Sequence, residues 1–109
     1  MKKILFLATF LSISLFAVET GDSIKGLKIY KKKVKTVIQL SGSKMASWHS
    51  QDEWEKEFSG NGEGFVKELK LKFPKKASYF ESKKFKKYLP NLKAFMIEYA
   101  NDSGNIPSC

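Results

Sequence analysis

Arginine is absent: all 20 basic residues of this 109-residue chain are lysines. A bidentate guanidinium grip on phosphate or carboxylate is therefore excluded, and any anion must be held by mobile point charges. A lysine-only composition also fits a compositional bias of the genome. Cysteine occurs once, at Cys109, the last residue, so no intrachain disulfide can form. The thiol either stays free or joins another molecule, as in a disulfide-linked dimer. Exported domains of this size often carry a disulfide framework; here packing must replace it. His49 is the only histidine, too few for a zinc site without several other ligands. Internal repeats and low-complexity tracts are lacking, and one apolar run stands out, at the amino terminus.

That run begins after Lys2 and Lys3, is broken from Ile4 to Phe10 only by Thr9, and continues through Leu15 and Phe16 to Ala17. Glu19 and Asp22 follow too soon for a comfortable membrane span, which needs about 20 apolar residues. A short basic segment, an apolar segment and a small residue before a polar start match a secretory signal peptide. Cleavage after Ala17 is expected, with Leu15 bulkier than usual at the −3 position; no cysteine sits there to carry a lipid anchor. Residues 1–17 are thus read as a signal peptide and 18–109 as one domain, in the periplasm or secreted. The mature chain keeps 18 lysines against 11 acidic residues, a net charge of +7.

Apolar spacing in the mature chain is helical. Ser23 is placed to cap a first helix from Ile24 to about Gln39, with Ile24, Leu27, Tyr30 or Lys31, Val34 and Ile38 inward, ending before Ser41-Gly42-Ser43. Ser50 and Glu53 form a capping box for a second, with His49 stapled onto Trp54 and Phe58 beside it. Gly60–Gly64 ends that helix. Phe65, Val66, Leu69 and Phe73 fall on one face of a third, with Glu63–Lys67 and Glu68–Lys72 as i,i+4 pairs, although Leu69, Leu71 and Phe73 also alternate as in a strand; Pro74 stops it. Ser78 and Glu81 resemble another capping box, before Phe80, Phe85, Tyr88 and Leu89. Pro90 then opens a last helix with Leu92, Phe95, Met96 and Tyr99 on one stripe. The expected fold is all-α, a small single domain of four to five short helices.

Gly26 and Tyr30 stand at the glycine–aromatic spacing that opens small class I c-type cytochromes, and Phe95, Met96 and Tyr99 lie on a final helix like the one those proteins pack against that glycine. In this respect the chain resembles them. It looks more like a set of short exported bacterial proteins often labelled cytochrome-c-like. Shared with these are a GxKxYKKK opening (Gly26–Lys33), a segment near HxQxEW (His49–Trp54) and a tail near YANDSGNxPSC (Tyr99–Cys109). The resemblance implies that the first and last helices pack together through Gly26, Tyr30, Phe95, Met96 and Tyr99. It also places the CxxCH haem-attachment window on Val34-Lys35-Thr36-Val37-Ile38, where both thiols and the histidine are missing.

Covalent haem needs those thiols and that histidine, so no cofactor is expected. The alternative is haem held non-covalently by His49 and Met96, since Met45 and His49, four apart, could not take opposite sides of a porphyrin. Otherwise Met96 is core filler. His49 with Ser50, Asp52 and Glu53 could suggest a small hydrolytic enzyme, yet capping accounts for all three polar neighbours; no catalytic residue and no metal ligand is expected. Gly60, Gly62 and Gly64 lack the lysine-serine of a phosphate loop. Two lysine groups remain: Lys31, Lys32, Lys33 and Lys35 on the first helix, and Lys83, Lys84, Lys86 and Lys87 around Phe85. They read as a solvated face or as a basic patch for an acidic envelope protein or surface, with at most peripheral membrane contact and no role for nucleic acid. The function expected is a haem-free accessory or interaction protein of the cell envelope. The alternatives are an electron carrier with non-covalent haem, a polyanion or membrane-surface binder and, weakest, an enzyme using His49.

Overall fold

The computed structural model describes residues 21–105. The segment 1–17 read as a signal peptide, the cleavage point expected after it and Cys109 lie outside the described residues. Within them the chain is all-helical, with seven helices and no strand.

Helix α1 comprises Ser23–Ile29, a wide π turn Tyr30–Val34, and Lys35–Ile38. Its cap is Asp22 rather than Ser23. The Asp22 carboxylate accepts from the Ile24 and Lys25 amides at 2.8 and 3.4 Å and sets a negative charge at the positive end of the helix. In the wide turn the Lys35 amide bonds back to the Tyr30 carbonyl. The Lys32 and Lys33 carbonyls accept from the Thr36 and Tyr79 hydroxyls. Tyr30, not Lys31, turns inward: Tyr30 and Val34 are fully buried, and the Tyr30 hydroxyl donates to the Leu40 carbonyl at 2.7 Å. Ile24, expected on the inner face, is 65% exposed.

Gln39 stops α1 in the left-handed conformation (φ 58°). The Ser41-Gly42-Ser43 triplet after it opens the next helix. Ser41 caps α2 (Gly42–Ala46) by accepting from the Lys44 amide. A Cβ on Gly42 would lie 2.8 Å from the Phe95 ring, so glycine here serves close packing.

Helix α3 (Gln51–Glu57) opens on the full Ser50/Glu53 capping box. The His49 ring meets Trp54 edge-on, with centroids 4.7 Å apart. After a turn with Gly60 and Gly62 at positive φ, α4 (Glu63–Lys72) settles the helix-or-strand ambiguity of 64–73. Phe65, Val66 and Leu69 are buried and Leu71 is 72% exposed, as a helix requires. Pro74–Lys76 forms one 3₁₀ turn, α5 spans Ala77–Glu81 and α6 spans Lys83–Lys86. The Ser78/Glu81 capping box does not form, because Pro74 starts the turn early and Ser78 falls inside the helix. Ser82 is the serine that caps, accepting from the Phe85 amide. This extra break and α2 raise the number of helices above the four or five expected.

Helix α7 (Leu89–Glu98) has Pro90 in its first turn. The expected stripe is in fact a belt: Leu92, Lys93, Ala94, Phe95 and Met96 are all buried. Such burial around the circumference marks a central helix. Its start lies directly on α1. The Gly21 amide donates to the Pro90 carbonyl at 2.9 Å and the Asp22 amide to Asn91 Oδ1 at 2.8 Å. A Cβ on Gly26 would sit 2.1 Å from the Asn91 carbonyl oxygen and 2.8 Å from Phe95 Cβ. Further along, Phe95 packs on Tyr30 and on Tyr99. Around this pair runs a chain of rings, Trp54, Phe58, Phe65, Phe85 and Phe80, with neighbouring centroids 4.5–6.3 Å apart. Each such pair contributes about 0.5–1.5 kcal/mol beyond its buried area. The Trp54 indole N–H is satisfied by the Ala46 carbonyl at 2.9 Å.

Candidate functional site

Two places on this scaffold gather chemistry. The first is a groove of about 300 Å3 beside the start of α1. Lys25, Lys28 and Lys32, at i, i+3 and i+7, share one face of the helix and rim the groove with Lys33. Ile29 and Tyr88 supply its apolar part, and no carboxylate lines it. Only Lys32 and Lys33 of the lysine groups singled out in the sequence reach this groove. Lys31, Lys35, Lys83, Lys84 and Lys87 are exposed and do not line it. Lys86 lies 3.7 Å from Glu81, which also receives a hydrogen bond from Lys70. That bond, above all, holds the Glu81 carboxyl below its ordinary range. Lys25 and Lys28, which complete the groove, were legible only through their helical spacing to Lys32.

The second place surrounds His49. Its Nε2 lies 2.9 and 3.1 Å from the two Glu68 carboxylate oxygens and 4.0 Å from Glu57 Oε2. Nδ1 faces Glu53 Oε1 at 3.6 Å. His49, Glu57 and Glu68 are all partly buried, with side-chain exposures of 24, 23 and 16%. Local sequence explains the assembly. His49, Glu53 and Glu57 recur every four residues along the start and body of α3. Glu68 arrives from α4, one turn after Gly64. A Cβ on Gly64 would stand 3.0 Å from the Glu57 carbonyl oxygen, so the absent side chain lets α4 start against the end of α3.

Electrostatically the pair of carboxyls is strained. Glu57 is raised from the ordinary 4.5 to about 8, first by burial and then by hydrogen bonding to, and repulsion from, Glu68. Glu57 Oε1 is buried and has no hydrogen-bond partner. Glu53, by contrast, is held below its ordinary range, chiefly by the Ser50 backbone amide. Lys72 lies 3.9 Å from Glu68 and also stands over the Trp48 ring, so it compensates only the outer edge. Of these residues the sequence had pointed to His49 and to Glu53 as a cap. Glu57 carried no role, and Glu68 was only the partner of Lys72.

The residues suggested for non-covalent haem do not fit that group. Met96 is fully buried among apolar side chains, and His49 Nε2 is engaged by Glu68. Ligating one iron would require opening the core at Met96 and breaking the Glu68 bond. Within the expected attachment window Val34 is fully buried, while Val37 and Ile38 are half-buried beside Phe73.

Compared with protein-family models, with curated proteins and with solved structures, the chain matches none.

Proposed function

We propose that this protein is an exported, haem-free accessory module of the cell envelope that docks an acidic segment of a protein partner through the α1 groove. The observation that carries the reading is the groove itself: four lysines around Ile29 and Tyr88, with no carboxylate lining it. Lysine ammonium groups offer no fork geometry, so recognition here is by charge and apolar fit and weakens with salt. Tyr88 and Ile29 give an acidic peptide an apolar surface that a purely solvated charged face would lack. The apolar amino-terminal run supports export. The Val34-to-Ile38 window, without thiols or histidine, supports a role independent of covalent haem.

Fluorescence anisotropy with a labelled peptide of alternating glutamate and leucine tests the docking. Binding should weaken steeply with added salt. The triple variant Lys25→Gln, Lys28→Gln, Lys32→Gln should lose about tenfold in affinity, from roughly 0.5 kcal/mol per exposed charge. A charge-matched control at Lys75, Lys76 and Lys83, which do not line the groove, should stay within about twofold, because exposed charges away from the bound peptide are screened. Equal loss in both variants would mean general charge rather than the groove. Capture by anionic phosphatidylglycerol vesicles without peptide binding would replace the protein partner with a membrane surface. Export is checked separately: intact mass from the envelope fraction should give a chain starting at Val18, and a full-length product would contradict it.

A further inference from the structure

The His49 cluster shares no residue with the groove and is not needed for docking. From its geometry we infer that His49, Glu57 and Glu68 form a binding site for a divalent first-row transition-metal ion, with Zn2+ the representative case. One ligand atom from each of the three lies within 4.8 Å of the other two. Two carboxylates and one imidazole are a borderline-hard donor set that suits zinc and its neighbours better than a soft thiolate metal. Around zinc at about 2.0–2.2 Å from each ligand, tetrahedral donors stand roughly 3.4 Å apart. The His49 Nε2–Glu68 separation of 2.9 Å would open slightly and the 4.0 Å separation to Glu57 would close.

Three further observations point to a cation. Glu57 Oε1 is a buried oxygen with no partner, and such an orphan calls for an explanation, an ion among them. Two carboxylates share one partly buried space, and the nearest lysine, Lys72, stands 3.9 Å from Glu68 on its outer side. Third, the ring is already oriented for ligation. Metal-bound histidine commonly gives its second N–H to a carboxylate, which fixes the tautomer; Nδ1 faces Glu53, itself locked in the capping box. In the bound form Nε2 presents its lone pair to the metal, Nδ1–H points to Glu53, and both glutamates are ionised. Any proton they carry beforehand leaves to solvent on binding. Three protein ligands leave a fourth position open for water or a small anion.

The test uses the full chain, stripped with EDTA, in competition titrations of Zn2+ against a chromophoric chelator. One equivalent should bind, and Zn2+ at about 100 times its Kd should raise Tm by roughly 10 °C or more. Glu57→Gln, Glu68→Gln and His49→Gln should each weaken binding by at least about tenfold, and Glu53→Gln by a similar factor through ring orientation. Cys109→Ser should bind as the unsubstituted protein does. Co2+ loading supplies a readout that does not depend on a variant folding: its visible bands should show nitrogen and oxygen donors without thiolate charge transfer. A thiolate band, loss of binding in Cys109→Ser, full binding in Glu57→Gln and Glu68→Gln, or no Tm shift with Zn2+ would each overturn the site.

Discussion

Replacing Gly26 by alanine adds one methyl group at the tightest helix–helix approach described, and its consequence can be worked from the structure. The new Cβ would fall 2.1 Å from the Asn91 carbonyl oxygen and 2.8 Å from Phe95 Cβ. Real Cβ atoms essentially never stand within 3.0 Å of such neighbours. The first obstacle is backbone in the middle of a turn of α7, so it cannot swing aside as a long side chain would. The helices must separate by close to an ångström. That movement strains the Gly21–Pro90 and Asp22–Asn91 hydrogen bonds and loosens Phe95 against Tyr30. Overpacking costs about 1–3 kcal/mol, while alanine returns about 0.5–1 kcal/mol of helix propensity over glycine. A net loss of about 1–2 kcal/mol is expected for Gly26→Ala, and about 3 kcal/mol for Gly26→Leu, whose larger side chain meets the same wall. In a domain of this size 1 kcal/mol shifts Tm by about 4–8 °C, so thermal melts followed by circular dichroism resolve both. Lys25→Ala, on the exposed face one residue away, should stay within about 0.5 kcal/mol. If Gly26→Ala melted at or above the unsubstituted protein, α1 and α7 would not meet at Gly26 and the register of the whole fold would be in question.

Two further outcomes are expected. In EDTA-treated protein, Glu57 holds its proton up to about pH 8 in the folded state but releases it near 4.5 when unfolded. The folded state then binds more protons across that window, stability falls as pH rises through it, and Glu57→Gln should remove the fall. The gain near pH 8 should be on the order of a few kcal/mol, since each pKa unit is worth about 1.4 kcal/mol and residual exposure reduces the sum. Parallel stability curves for the two proteins between pH 4.5 and 8 would refute it. Protein expressed with a working cytochrome-maturation system should show no Soret band, and a red product whose haem survives denaturation would mean that the attachment window has been misplaced.

The fold was legible where one residue had one local job. The Ser50/Glu53 capping box, the arrest at Pro74 and the Pro90 start all follow from chemistry within four residues. Legibility failed where two local solutions competed and tertiary contact chose. Asp22 and Ser23 can each cap, and Asp22 prevails where its backbone amide also reaches Asn91. Ser41-Gly42-Ser43 reads only as the stop of the first helix, and nothing local shows that Phe95 will be set against Gly42. Helix α7 has the period of an amphipathic stripe, and nothing in that period reveals that Lys93 is buried too, with its ammonium group 3.6 Å from Glu55.

The His49 cluster was hidden for a more instructive reason. Every member but Glu57 already had a sufficient local explanation: His49 as a staple, Glu53 as half of a capping box, Glu68 as the partner of Lys72. A sufficient explanation is not an exclusive one, because an ionised carboxylate offers about four acceptor sites. Glu53 Oε1 accepts from the Ser50 amide at 2.8 Å and still faces His49 Nδ1. Glu68 lies within 3.9 Å of Lys72 through one oxygen while both its oxygens reach His49 Nε2. The residue that breaks the local account is Glu57, which no cap, pair or turn requires at its position. Its recurrence four after Glu53 and eight after His49 was visible in the sequence. What could not be read was the Gly64 approach that sets Glu68 against it, since that depends on the absence of a side chain across a turn of two left-handed glycines.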